Sequence, residues 1–329
     1  MDLTSQRPGK PGATLSLDLD NLWCYQRSFG VETWQDYSSF LELAVPRILD
    51  LLDQLDLRVT FFIIGRDASQ TLHQPLLAEI VRRGHEAGNH SYDHELTLHR
   101  WPRDRIRDEI LRAEAAIEEA TGQKPRGFRG PAFGLSSPLL EVLAELGYDY
   151  DASSCPNSLG LAARLYHRRH AAKLGTQANV MDSLYGSLKD CGQPLKPFCW
   201  TLSKGAMIEI PVTTLPLLRL PFHGTYLNYL AGFSPAVARV YFKTALGLCR
   251  LRGVSPSFLL HATDFLGRDD VSGLEYLPGM QRSGAEKIAF MTSVLETYRQ
   301  TFHVQPIGAF VDGIWQPDSL SQLIPAVGA

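Results

Sequence analysis

Leu57-Arg58-Val59-Thr60-Phe61-Phe62-Ile63-Ile64 is a nearly continuous apolar run that stops at Gly65. A strand buried on both faces reads this way, and such strands sit in parallel sheets covered by helices. The flanks agree. Just upstream, Leu41, Val45, Ile48, Leu49, Leu52 and Leu55 recur at helical spacing, and Pro46 inside the run predicts a kink or a late helix start. Before that helix, Leu15 to Asp20 alternates apolar with polar residues. This predicts a strand with Leu15, Leu17 and Leu19 on one side and Ser16, Asp18 and Asp20 on the other.

Downstream the alternation continues. Helices are predicted over Pro75 to Arg83, Arg103 to Ala120 and Pro138 to Leu146, stopped by Gly84, Gly122 and Gly147. Gly127 to Arg129, Tyr148 to Asp151, Ile208 to Val212 and Ser257 to His261 read as extended. Pro235 to Arg252 and Glu286 to Phe302 read as helices, and Val304 to Val311 as extended. Strands alternating with helices imply parallel βα units. A length of 329 residues fits either two domains or one large α/β barrel. Cys155 to Lys204 breaks the rhythm with Pro, Gly, Ser and basic residues, which predicts a long insertion over one face. The expected organisation is an N-terminal tail over 1–12 and a single domain over 13–329, with the insertion at about 155–204.

Hydrophobic residues make up 44% of the chain, enough for a sizeable interior, and the net charge is −3. That balance gives no electrostatic argument for nucleic acid or an anionic membrane. The five cysteines include no tight pair, so neither a disulfide framework nor a thiolate zinc site is expected. Met1 to Lys10 has no apolar signal core and no run is long enough to span a membrane, so a cytoplasmic protein is the expectation.

Five chemically capable residues share one position. Asp18, Asp20, Arg129, Asp151 and His261 all fall at the C-terminal ends of predicted strands, the end that carries the chemistry of βα barrels. Asp18 and Asp20 would point the same way, an arrangement that a cation or a proton relieves. His90 and His94, four apart, would lie on one face of a helical turn within reach of a single ion. Arg129 precedes Gly130-Pro131, which interrupts the backbone and frees N–H groups. His261 closes an apolar strand and suits a general acid. Taken singly, each of these motifs also reads blandly, as solvated acids, surface or capping histidines, or a core imidazole. Taken together, two imidazoles and a carboxylate with a second carboxylate beside them form a ligand set for a divalent metal and a spare base, which points to a hydrolase. The reading requires the Asp20 carboxylate within about 6 Å of the two imidazoles.

The motifs also carry a resemblance. In order, an Asp-containing strand end, His90-Ser91-Tyr92-Asp93-His94, Arg129-Gly130-Pro131-Ala132-Phe133, Tyr148-Asp149-Tyr150-Asp151 and Leu259-Leu260-His261 resemble the polysaccharide deacetylase family, the NodB-homology or carbohydrate esterase 4 group, over roughly residues 13 to 265. The resemblance implies a deformed (β/α) barrel with fewer than eight regular units, and a divalent metal, most often zinc, held by Asp20, His90 and His94. It implies Asp18 as the base that deprotonates water, Arg129 as its brace, and the Ala132 N–H as an oxyanion donor. His261 would protonate the leaving amine, with Asp151 as a partner tuning it, and Leu259 would line the acetyl-methyl pocket. Phe133 and His223 are further candidates to line the substrate. Leu19 separates the two aspartates that are adjacent in the common family motif. That spacing is similar to the branch with intracellular-type peptidoglycan deacetylases and allantoinase-like proteins, and the overall pattern, including Ile208-Glu209-Ile210-Pro211, most resembles the exopolysaccharide-associated branch.

The expected activity is removal of an acetyl group from an N-acetylated sugar or glycan precursor. The apolar and aromatic stretch Phe222 to Cys249 raises a lipid-linked substrate, with core packing as the competing reading. The rival functions are hydrolysis of a non-sugar amide or formamide, an iron oxygenase built on the same ligand types, and a non-catalytic carbohydrate-binding protein.

Overall fold

The computed structural model describes residues 9–158, 192–277, 279–314 and 319–325. Its frame is one sheet of ten strands: β1 (Gly12–Asp18), β2 (Thr60–Ile63), β3 (Glu86–Asn89), β4 (Gly127–Phe128), β5 (Tyr150–Asp151), β6 (Phe198–Leu202), β7 (Gly205–Glu209), β8 (Ser257–His261), β9 (His303–Gln305) and β10 (Ser321–Leu323). The spatial order is β10-β6-β7-β5-β4-β3-β2-β1-β8, with β9 also against β1. Every pair is parallel except β6 with β7. The described helices are α1 (Leu22–Ser28), α2 (Leu41–Gln54), α3 (Gly65–Ala68), α4 (Gln74–Arg82), α5 (Arg103–Thr121), α6 (Ser137–Glu145), α7 (Gly224–Phe233), α8 (Pro235–Arg252), α9 (Gly284–Thr301) and α10 (Ile307–Ile314).

The sheet curls until the segment that follows β7 meets β8. Beyond β7, the Ile210 N–H donates to the Asp151 carbonyl and the Val212 N–H to the Ser154 carbonyl. The Thr213 N–H then reaches the Ser257 carbonyl at the start of β8, at 3.0 Å, and the Ser257 N–H returns a bond to Thr213 Oγ1. Single bonds instead of a full ladder close the wall there, which makes this a deformed (β/α) barrel, as expected.

Alternation along the strands decides what lies inside. Leu15, Leu17 and Leu19 join the outer core under the helices, together with Phe61 of β2. Ser16 and Asp18 fall on the opposite face, toward the lumen, as the period of two requires. Phe62, also inward, packs with Tyr150, Ile208, Ile307 and Phe310. Helix α10 therefore closes the bottom of the barrel. Its leading N–H groups, on Ile307 and Gly308, donate to Thr60 Oγ1 and Glu86 Oε2, satisfying donors that a helix start leaves open. Glu86 is buried and also accepts from Thr60 Oγ1 and the Tyr150 hydroxyl.

Three local expectations are corrected. Of the predicted extended stretch 304–311 only Val304 and Gln305 are strand, within β9, and α10 follows. Pro306 brings no N–H to a ladder and its fixed φ suits a helix start. The strand expected over 208–212 runs earlier, over Gly205–Glu209, because it pairs with β6 in a hairpin whose turn ends at Gly205, φ +100°. That hairpin gives the end of the rhythm-breaking stretch 155–204 a strand of the sheet; residues 159–191 of that stretch lie outside the described residues. Pro46 lies within α2, which runs unbroken from Leu41 to Gln54.

Candidate active site

The parallel register brings the chemistry to one rim. Asp18 pairs with His261 across β1 and β8 and with Phe62 across β1 and β2, so both functional side chains end their strands at the same level. Asp20 lies two residues past β1, His90 one past β3, and Arg129 one past β4.

His90 is oriented by its other ring nitrogen. Nδ1 lies 2.7 Å from the carbonyl oxygen of Arg129, and donation there leaves Nε2 as a lone pair toward Asp20. The loop to His94 is not the helical turn expected from the HxxxH spacing. Ser91 and His94 adopt left-handed conformations, φ +63° and +48°, and the chain folds back on itself. Side chains hold that turn: the Ser91 N–H donates to Asn89 Oδ1, and the Tyr92 and Asp93 N–H groups donate to Glu109 Oε1. The outcome that a helical turn would have provided is still reached. His90 Nε2 lies 3.3 Å and His94 Nε2 3.2 Å from Asp20 Oδ1, well inside the 6 Å requirement.

The trio fits a metal. One ligand atom from each of Asp20, His90 and His94 lies within 4.8 Å of the other two, and all three residues are buried. Ligands on a tetrahedral ion with bonds of about 2.1 Å sit about 3.4 Å apart. Asp20 Oδ1 is buried without a hydrogen-bond partner, facing two imidazole nitrogens. Acceptors converging this way call for a positive charge between them. Burial opposes ionisation of Asp20, but the His94 and His90 rings outweigh it and hold the carboxyl well below the usual carboxylate range.

Asp18 stands beside this trio and is gripped from the barrel interior. Arg129 Nη1 donates to Asp18 Oδ1 at 2.6 Å and to Ser16 Oγ at 2.9 Å, and Nε donates to the Ala152 carbonyl. The guanidinium is fully buried and lies over the Phe62 ring, 4.3 Å from its centroid. The other Asp18 oxygen, Oδ2, faces His261 Nε2 at 4.0 Å. His261 is held at both ends: Nδ1 lies 3.1 Å from Thr225 Oγ1, and its backbone N–H donates to Asp264 Oδ2.

Ala132 occupies a left-handed conformation, φ +52°, in the turn Pro131–Phe133. The Phe133 and Gly134 N–H groups are committed to the Gly130 and Pro131 carbonyls, whereas among the described residues the Ala132 N–H has no such partner. The Gly130 N–H that starts this turn donates to Ser153 Oγ, and Ser153 Oγ donates to Asp151 Oδ1.

Around these groups is a cavity of about 210 Å³, lined by Asp18, Asp20, His90, His94, Ala132 and His261, with Tyr25, Phe133 and Leu277 on its apolar side. A second lobe of about 130 Å³ shares Asp20, Tyr25, His261 and Leu277 and adds His223, Thr225 and Lys287. Burial pushes His223 down to about 3, with His261 adding to the effect. Lys287 is pushed down to about 8 by burial, against the charge of Asp264, and donates to the Thr263 carbonyl.

Two sequence-based assignments change. Asp151 does not reach His261; it is fully buried, bonds Ser153, and shares its environment with Glu209. The β5 position puts it on the far wall, where it supports the Gly130 turn. Leu259 is buried beneath His261 on β8 and lines neither lobe. Phe133 and His223 do line the lobes. The sequence reading missed Tyr25, Thr225 and Asp264. Asp264 had a legible signal: three residues after a strand-ending His261, it forms a capping box with it. Thr225 and Tyr25 had none, since only the tertiary fold brings α7 and α1 to the rim.

A family profile described as Polysaccharide deacetylase matches residues 32–150. Over this segment the chain is similar to the polysaccharide deacetylase family. The segment contains His90, His94, Arg129 and Ala132, while Asp18, Asp20 and His261 come from its flanks. Curated relatives include a peptidoglycan deacetylase of Helicobacter pylori, 30% identical over 145 residues, covering 43% of this chain and 48% of the relative. A chitooligosaccharide deacetylase of Bradyrhizobium sp. is 36% identical over 104 residues, covering 31% of this chain and 46% of the relative. The chain thus spans about half the length of these relatives. Among solved structures, a polysaccharide deacetylase candidate from Mycobacterium smegmatis superposes with a TM-score of 0.62 at 19% identity, covering 98% of this chain and 96% of the other. That likeness extends the deacetylase fold over both flanks of the matched segment.

Proposed function

We propose that the protein is a metal-dependent amide hydrolase that removes the acetyl group from an N-acetylated sugar, with zinc as the resident ion. The observation that carries the reading is the orphaned Asp20 Oδ1 between the Nε2 atoms of His90 and His94, with the Arg129-paired Asp18 alongside. The deacetylase names of the Helicobacter pylori and Bradyrhizobium relatives support it.

Asp20, His90 and His94 would hold the ion, which supplies positive charge for the developing oxyanion and makes a water acidic enough to attack at neutral pH. Asp18 Oδ2, the oxygen that Arg129 leaves free, takes the proton of the attacking water. Arg129 fixes the direction of that oxygen and keeps the carboxylate from turning toward the trio. Water oxygen bonds to the acetyl carbon, and the carbonyl oxygen gathers charge where the Ala132 N–H can donate to it. His261 Nε2 delivers a proton to the sugar nitrogen as the C–N bond breaks, leaving acetate and a free amine. Asp18 then holds one extra proton and His261 lacks one, and exchange with solvent water resets both groups.

The test is acetate release from N-acetylglucosamine oligosaccharides by the zinc-loaded chain. Release that disappears in Asp20→Ala supports the reading. No release with zinc, cobalt, nickel or iron, and no difference between wild type and Asp20→Ala in metal content, overturns it.

A further inference from the structure

Helices α7 and α8 present an apolar face that the fold leaves uncovered. Phe233 is 76% exposed, Val240 65% and Leu251 80%, with Val237 and Tyr229 beside them. Such side chains scattered singly need no explanation, but these are organised. On α8, Val237, Val240, Thr244 and Leu251 recur at helical spacing and form one stripe, opposite the buried stripe of Ala238, Phe242, Ala245 and Cys249. Helix α8 is therefore apolar on two faces, only one of which the barrel uses.

Charge identifies the occupant. From Ile210 to Thr263 the chain contains no Asp or Glu, yet it contains Arg219, Arg239, Lys243, Arg250 and Arg252. This departs sharply from a chain whose net charge is −3. Lys243 and Arg250 flank the α8 stripe on one side and Arg252 on the other, all exposed. A protein partner would need matching acids around an apolar centre. A long apolar stripe bordered by cations, with aromatic rings alongside, is the pattern of helices that lie in the headgroup region of an anionic bilayer. Among the described residues no helix is long and apolar enough to cross a membrane, so the contact would be superficial.

The face is also continuous with the catalytic rim. Tyr241 of α8 and Tyr226 of α7 stack edge to face at 5.9 Å, and Tyr226, Tyr229 and Phe233 follow at 6.3 and 5.1 Å along α7. In the other direction, Tyr226 neighbours His223 at 6.4 Å and His223 neighbours His261 at 6.2 Å. Thr225, on the first turn of α7, contacts His261, and Phe233 ends the helix about 12 Å further along its axis.

We infer that the α7–α8 face docks on the surface of an anionic lipid bilayer and sets the catalytic mouth beside the headgroups. The inference goes beyond the hydrolase reading and does not depend on it.

The experiment is co-sedimentation of the full chain with vesicles of phosphatidylglycerol and phosphatidylcholine, and with phosphatidylcholine alone, at low and at 0.5 M salt. Binding to the anionic vesicles that weakens at least tenfold at high salt is expected. Phe233→Ser with Leu251→Ser, and separately Lys243→Glu with Arg250→Glu, should each weaken it at least tenfold, while melting and acetate release from a soluble oligosaccharide stay at wild-type values. No sedimentation with anionic vesicles overturns the inference. So does vesicle binding that both variant pairs leave unchanged, or self-association abolished by these substitutions without vesicle binding. Acetate release from a soluble substrate reports on the hydrolase reading separately, so the two fail independently.

Discussion

Arg129 serves both halves of the site at once: its carbonyl oxygen lies 2.7 Å from His90 Nδ1, and its guanidinium lies 2.6 Å from Asp18 Oδ1. One residue therefore orients both His90 and Asp18, so the Asp20–His90–His94 cluster and Asp18 cannot drift apart without moving the end of β4.

Asp20→Ala is expected to abolish metal binding. In wild type, zinc at 100 times its dissociation constant should stabilise the fold by about 2.7 kcal/mol, and chelation should remove that increment. In Asp20→Ala, melting should be the same with and without zinc. Elemental analysis and thermal melts with and without chelator check both outcomes.

Arg129→Met should be strongly destabilising, by about 3–5 kcal/mol, because it leaves the Asp18 carboxylate buried without its partner. Asp18→Asn with Arg129→Met should recover part of the loss, since no charge is then stranded. Denaturant titrations of Arg129→Met, Asp18→Asn and the double variant read the coupling; additive losses would contradict it.

Ser153→Ala removes the acceptor that holds the Gly130 N–H, so the turn carrying Ala132 loses its support. A drop of about tenfold to a hundredfold in kcat with little change in KM is expected, the signature of an interaction made in the transition state. Steady-state kinetics on one N-acetylated oligosaccharide decide it; a change confined to KM would point to substrate binding instead.

His85 provides a pH test away from the site. Burial pushes it down to about 4, with Arg58 adding to the effect, and its Nδ1 accepts the Val59 N–H. The unfolded chain binds this proton below about 6.5, the folded chain only below about 4. Its contribution, up to about 3 kcal/mol, is therefore complete above pH 6.5 and is lost as pH falls toward 4. His85→Gln keeps an acceptor and should flatten the stability profile across that window. An unaltered slope between pH 4 and 6.5 would refute the assignment.

Much of this architecture was legible in the sequence because it rests on short-range periodicity. The apolar run at Leu57–Ile64 and the alternation at Leu15–Asp20 specify strands, and Gly122 closes α5 with a left-handed φ of +71°, as its position predicts. The convergence of Asp20, His90 and His94 was legible too, although the backbone that produces it was not. A spacing of four suggests a helical turn, while the actual loop is bent by Ser91 and His94 and held by Asn89 and Glu109 from other elements. Asp151 was misassigned for a related reason. Its place at a strand end was correct, but which wall of the barrel faces which depends on closure, and among the described residues the two Thr213–Ser257 hydrogen bonds that close the wall leave no periodic trace.

Helix α10, pinned to Glu86 and Thr60, fills the end of the barrel opposite the rim. Under the proposed reaction, a small carboxylate formed at the foot of the cavity, behind the sugar that delivered it, would have to follow the amino sugar out past the rim, and free acetate would then compete with the next acetyl group for the same floor.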